Sequence, residues 1–273
     1  MEFRTKIEIG KADFEVEPCE KVLLVGSCFA DGIGRRFKEN GFPVTVNPYG
    51  VMYNPVSVLH TVKRWEQVPR VVFLTLGTNH VYRLKETGEI VDNCEKRPAT
   101  LFQEEELTVD ECADYLQQTV DVLRRRNPQV QVVFTVSPIR YRKYGYHGSQ
   151  LSKATLLLAV SRLIPQTSDL LPHPSSLSYF PAYELLMDEL RDYRFYATDM
   201  LHPSEQAVDY VWERLIDWCF SSSAKTFIEE WRPLKQLLGH QPFNADSAEY
   251  KALMDKTMLK VAALRKKYPT FAL

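Results

Sequence analysis

Short apolar runs, rich in Val and Leu, alternate along this chain with longer stretches of helical spacing, and that alternation restricts its fold more than any other feature. Lys21–Val25 (KVLLV), Val71–Leu76 (VVFLTL) and Val130–Val136 (VQVVFTV) lack the polar/apolar alternation of a half-exposed strand, so they are expected to be buried on both faces. Helical patterns over 28–40, 56–65, 109–126, 150–163, 179–190 and 204–220 separate or follow them. Strands of that kind alternating with helices predict a parallel sheet covered on both sides. Val44–Val46 reads as a short second strand and Tyr193–Tyr196 as a short last one. Arg83–Glu106 has no regular period; it is expected to form a hairpin around Thr87-Gly88 and then a surface loop. After Ser221-Ser222-Ser223 two further helical patterns, around 225–238 and 248–267, form an extension without strands. The expected division is residues 1–223 as an α/β domain and 224–273 as a helical C-terminal extension packed on it.

Thirty-four basic residues offset thirty-five acidic ones, leaving a net charge of -1 and no global field toward nucleic acid or anionic lipid. Five cysteines without short paired spacing argue against a disulfide framework and a cysteine-based zinc site. The start, Met1–Lys6, lacks the pattern of a signal peptide, and no apolar run is long enough to span a membrane. A cytoplasmic protein with no nucleic-acid or membrane partner is the expectation, its oligomeric state open.

Three segments at predicted strand ends carry chemistry, the place where parallel sheets put their ligands. Gly26-Ser27-Cys28-Phe29-Ala30 puts a serine at a strand–turn–helix junction, among unpaired N–H groups that stabilise negative charge. Ser27 alone reads equally as a helix cap. Leu76-Gly77-Thr78-Asn79-His80 follows the clearest strand, and the Asn79 amide is a candidate donor to an oxyanion; turn stabilisation is the plain alternative. In Asp199-Met200-Leu201-His202-Pro203 an Asp three residues before a His can orient the imidazole and stabilise its protonated form, or simply cap a turn. Cys28 adjoins Ser27 where thiol pKa values tend to fall, which admits a cysteine nucleophile. The expectation is otherwise: its side chain should point about a third of a turn away, into the sheet, as a packed and inert thiol.

Nucleophile, oxyanion donor and acid–base pair in that order resemble the SGNH/GDSL hydrolase superfamily, whose blocks run Gly-x-Ser, Gly, Gly-x-Asn and Asp-x-x-His. The likeness is closer to one branch, the GSCFA-domain family, whose name-giving pentapeptide stands at Gly26–Ala30. The segments Asn47–Pro55, Val136–Arg140 and Tyr193–Ser204 share it, so the resemblance covers roughly residues 20 to 220. It implies a flavodoxin-like three-layer α/β/α sandwich of sheet order 2-1-3-4-5. It also implies a serine esterase with Ser27 as nucleophile, His202 as base and Asp199 as its orienter. The backbone N–H groups of Gly50 and Ser27 and the Asn79 side chain would form the oxyanion hole. The first block reads Gly-Ser-Cys where the wider superfamily has Gly-Asp-Ser, so the serine stands one place nearer the glycine.

Such an enzyme needs no metal or organic cofactor. The loop Arg140-Tyr141-Arg142-Lys143-Tyr144-Gly145-Tyr146-His147 mixes rings and cations suited to a sugar or an acidic ligand. Arg83, Arg140, Tyr141, His147 and Glu184 are its candidate rim, and removal of a short acyl group such as acetyl from a carbohydrate is the first expectation. Two rivals remain at this point. One is a non-catalytic carbohydrate-binding protein on a hydrolase scaffold. The other is a metal-dependent phosphoesterase using Asp199, His202 and His80.

Overall fold

In the computed structural model, which describes residues 4–92, 94, 97–164, 176–244 and 246–273, the apolar runs become adjacent strands of one parallel sheet. Met1–Phe3, read above as lacking a leader, lie outside the described residues, as do 93, 95 and 96 of the irregular insert. The strands β1 (Val22–Gly26), β2 (Val44–Val46), β3 (Val71–Leu76), β7 (Gln131–Val136) and β8 (Leu177–Tyr179) lie in the order β2-β1-β3-β7-β8, all parallel. Val22 pairs with Val71 and Val71 with Gln131, so Gly26, Leu76 and Val136 finish at one edge of the sheet. The strand order reverses direction between β1 and β3, which puts a crevice at that edge.

Alternate side chains of the strands enter two separate cores. Val22, Leu24, Val71, Phe73 and Val133 meet α1 (Cys28–Glu39) and α6 (Glu205–Cys219). Leu23, Val25, Val72, Leu74, Val132 and Phe134 face α2 (Pro55–Arg64), α3 (Val109–Arg126) and α4 (Gly145–Leu163). The expected sandwich and strand order are therefore present, with two corrections. The fifth strand is Leu177–Tyr179, in the segment read as a helix start. That helix is α5 (Ala182–Glu184), which continues as a π-helical turn over Leu185–Leu190. Tyr193–Phe195 is a 3₁₀ turn, and only a single bridge from Tyr196 to Pro203 remains of the last strand expected there.

The irregular insert is more ordered than its composition indicates. The hairpin at Gly88 joins β4 (His80–Leu84) to β5 (Ile90–Val91), and β6 (Phe102–Glu106) pairs on the other side of β4. Sharply mixed charge hid this sheet: β6 reads FQEEE, with one buried residue.

The two terminal helices, α7 (Ser222–Leu238) and α8 (Ala248–Lys267), add their apolar faces to the α1–α6 core. Phe227 packs edge-on to Phe42 at 5.7 Å between ring centroids, and Trp231 meets Phe271 at 4.9 Å. The Trp231 Nε1–H donates to the Glu39 carbonyl and the Ala272 N–H to the Gly41 carbonyl, so the chain end closes over the C-terminal end of α1. Among the described residues no helix is long and apolar enough to cross a membrane.

Candidate active site

The turn between β1 and α1 is set by backbone space before any side chain. Gly26 has φ +148°, and a Cβ there would lie 2.1 Å from the Thr75 carbonyl oxygen on the adjacent strand. Its N–H donates to Asn47 Oδ1 at 2.8 Å, while Asn47 Nδ2 donates to Asp31 on α1. The Asn47–Pro55 loop is thus tied both to the turn and to the helix that follows it.

Ser27 is the N-cap of α1. Its Oγ accepts from the Phe29 N–H at 3.3 Å and lies 3.4 Å from Thr75 Oγ1; the residue is completely buried. The hydroxyl thus caps the helix inside the protein and does not line the cavity beside it. Cys28, the first residue of the helix, is only partly buried and opens onto a cavity of about 450 Å³. The thiol packs against the α1–α6 core, as expected, but is not sealed within it. One residue further on, the helix has turned the side chain outward, and the cavity wall carries Cys28 together with His202, Asp31, Arg35 and Ile139. The Tyr53 hydroxyl hydrogen-bonds the thiol. Burial pushes the thiol's pKa up, and the Tyr53 contact pulls against that rise.

Asp199 and His202 meet as their spacing predicts. His202 Nδ1 lies 2.6 Å from Asp199 Oδ2, and the other carboxylate oxygen accepts the N–H groups of Leu201 at 2.8 Å and His202 at 3.0 Å. These three donors hold the Asp199 carboxyl down at about 2, so it is ionised throughout the neutral range. The turn that joins the two includes Met200 at φ +59° and is closed by Ala197 N–H donating to the His202 carbonyl. Arg140, beyond the end of β7, fastens it from outside: its backbone N–H donates to the Leu201 carbonyl and its guanidinium to that of Met200 at 2.9 Å. Directly after the turn Ser204 caps α6, which packs along α1 through Arg36–Asp209 and Arg36–Glu205 pairs. His202, at the entry of one helix, and Cys28, at the entry of its neighbour, reach the same cavity for that reason.

Each of the expected oxyanion donors already has a partner. The Ser27 N–H donates to the Thr75 carbonyl and the Gly50 N–H to the Asn47 carbonyl. The Asn79 amide donates to the Leu107 carbonyl at 2.7 Å, where it anchors the start of the small sheet. One of several enclosed hydroxyls without a partner belongs to a residue not singled out for this role. Tyr141 Oη is buried and has no hydrogen-bond partner. It sits where a Gly77 side chain would be, 2.4 Å from the ideal Cβ position, with its ring edge-on to Tyr53 at 6.0 Å. Gly77 also passes its carbonyl to Lys153 Nζ at 2.6 Å, and that ammonium lies 5.1 Å from the centre of the Tyr141 ring. Lys153 is 2% exposed, and desolvation lowers its pKa to about 7.

The remaining candidates separate. Arg140 stacks on Tyr146 and lines, with Tyr183, Tyr193 and Tyr196, a second cavity of about 240 Å³ that shares Ile139 with the first. His147 is exposed in the first turn of α4. Arg83 is paired with Glu105 on the small sheet and is not brought to the dyad. Glu184 accepts from the Tyr179 hydroxyl. His80 stacks on Tyr144 at 3.5 Å beside Glu104, outside the wall that His202 lines, so the three residues of the phosphoesterase alternative do not converge. Among the described residues no group of three His, Cys, Asp or Glu side chains is placed to hold a metal ion.

Solved structures share the general architecture at low identity. A carbohydrate esterase of family 3 from Talaromyces cellulolyticus is 11% identical, with a TM-score of 0.41 over 78% of this chain and 99% of that one. An acetyl xylan esterase from the rumen bacterium Butyrivibrio proteoclasticus is likewise 11% identical, with a TM-score of 0.43 over 74% of this chain and 64% of that one. Likeness at that level assigns no activity. No curated protein matches. Residues 231–273 match the C-terminal domain of GSCFA domain proteins, and residues 21–69 and 65–215 match the GSCFA family itself. With the pentapeptide Gly26–Ala30 at the head of α1 and that match running through both halves of the sheet, the chain belongs to the GSCFA family.

Proposed function

We propose that this protein is a carboxylic ester hydrolase that works through a covalent acyl-enzyme, with Asp199–His202 as its base. The observation that carries this reading is the 2.6 Å contact from Asp199 Oδ2 to His202 Nδ1, on the wall of a cavity that also contains the head of α1. An imidazole held through Nδ1 presents its other nitrogen to the cavity, where it can take a proton from a nucleophile and return it to a leaving alcohol. The ionised Asp199 stabilises the imidazolium formed in between. A side-chain nucleophile and a His–Asp pair need no metal or organic cofactor for this reaction.

The neighbouring cavity supports a carbohydrate ester with a short acyl group. Tyr146, Tyr183, Tyr193 and Tyr196 offer ring faces with polar tips, and Arg140 supplies a cation beside them. A sugar bound there would extend toward the dyad past Ile139, the residue common to both cavities. The test is hydrolysis of p-nitrophenyl acetate and of acetylated oligosaccharides by wild type, His202→Ala and Asp199→Asn. Wild type should turn over, and each variant should lose about 10²–10⁴ in kcat. Equal rates in all three would refute the reading.

A further inference from the structure

We infer that Cys28, not Ser27, is the nucleophile, and that the Tyr141 hydroxyl is a donor to the oxyanion formed when it attacks. The inference deepens the hydrolase reading and rests on it. It stands on three placements. Ser27 is completely buried and its Oγ caps α1, whereas Cys28 shares an open cavity wall with His202. The Tyr53 hydroxyl lies beside the Cys28 thiol, and the Tyr53 ring meets that of Tyr141 edge-on. Tyr141 in turn has a buried hydroxyl with no hydrogen-bond partner, behind the Tyr53 ring and outside the wall of that cavity. An enclosed hydroxyl without a partner is destabilising, and a ligand atom bearing negative charge would offset that.

The positions differ by one residue and the consequence is large. Consecutive residues of a helix diverge by about 100°, so the cap side chain folds back over the helix end while the next one projects outward. The cysteine also stands at the N-terminal end of α1, where the unpaired N–H groups favour a thiolate. That offsets part of the burial that raises its pKa.

The reaction is written as follows. His202 takes the thiol proton, and the Cys28 sulfur attacks the acyl carbon, forming a C–S bond as the carbonyl electron pair moves onto oxygen. Tyr141 Oη–H donates to that oxygen. The pair returns, the C–O bond to the alcohol breaks, and the alkoxide takes the proton from His202. A water, deprotonated by His202, then attacks the thioester; the C–S bond breaks and the acid leaves, with the proton restored to the sulfur. No electrons are gained or lost overall.

Two independent measurements test it. In the first, the rate of Cys28 alkylation by iodoacetamide is followed by peptide mass spectrometry against pH, in wild type and His202→Ala. This readout needs no substrate. A Cys28 rate in wild type at least about tenfold above that in His202→Ala at pH 7 is expected; equal rates in the two would overturn the inference. In the second, p-nitrophenyl acetate turnover is compared in wild type, Cys28→Ala, Cys28→Ser and Ser27→Ala, each checked for folding by circular dichroism. Cys28→Ala should lose about 10³-fold, Cys28→Ser should retain part of the rate, and Ser27→Ala should stay within about tenfold. Tyr141→Phe should lower kcat with little change in KM, because its donor serves the transition state. An acetyl adduct on Ser27, with Cys28→Ala still active, would leave a hydrolase and remove this nucleophile. Fast His202-dependent alkylation without turnover of any ester would keep the activated thiol and remove the ester reading.

Discussion

At the scale of single residues the site depends on where one backbone position can go. Gly26→Ala would drive a methyl group into the Thr75 carbonyl at a φ of +148°, where side chains are rarely accommodated. The expected loss is roughly 3 kcal/mol or more, read as a lower urea midpoint, with weaker alkylation of Cys28 at denaturant concentrations where wild type stays folded. The pentapeptide at this turn announces chemistry plainly in the sequence, but not which of its two nucleophilic residues does it. The resemblance drew the expectation to Ser27 as nucleophile, with a helix cap as its plain alternative. Only the rotation of the first helical turn separates the cap from the proposed nucleophile. Counting two places from the glycine, as in Gly-Asp-Ser, leads to Cys28 by register alone. The oxyanion residues were less legible still. A backbone N–H or an amide looks free in a sequence, yet Ser27 and Asn79 are occupied by acceptors from distant segments and Gly50 by the carbonyl of Asn47 in its own turn.

At the scale of elements, two contacts between neighbours govern the site. Arg140 ties the end of β7 to the Asp199–His202 turn through the carbonyls of Leu201 and Met200. Arg140→Ala keeps the backbone bond and removes the guanidinium one, so the turn should loosen. Kinetics should show kcat falling about tenfold with the fold retained. Lys153 does the corresponding work from α4, holding the Gly77 carbonyl at the end of β3. Its burial has a signed consequence. With its folded pKa lowered from 10.5 to about 7, the unfolded chain binds a proton that the folded chain gives up between those values. Unfolding free energy should therefore rise from pH 7 toward pH 10 by a component that Lys153→Met lacks. Parallel urea titrations of the two proteins at both pH values measure it; an unchanged difference would mean that Lys153 titrates normally. The long apolar strands and amphipathic helices were legible because burial on both faces writes itself into composition. Leu177–Tyr179 was not: its LSY carries no β-branched residue, unlike the equally short edge strand Val44–Val46, VTV. The Arg83–Glu106 sheet escaped because its exposed face is almost wholly charged.

At the scale of the whole molecule, the terminal helices complete the core that α1 and α6 begin. Trp231, 5% exposed, packs on Phe271 and donates its indole N–H to Glu39, so Trp231→Ala should cost about 3–5 kcal/mol. A thermal melt would show it as a single transition at lower temperature if body and extension unfold together. Two separated transitions would show that the extension melts by itself.

The closure of the chain end over Gly41 has a consequence in time as well as in space. Residues 26–30 are made well before Phe271 and Ala272, which cover the far end of the same helix. A nascent chain therefore carries the Cys28 thiol through synthesis of the whole sheet before the helix behind it gains this support. A chain stopped short of Trp231 would hold every residue of the proposed chemistry without the brace that steadies it.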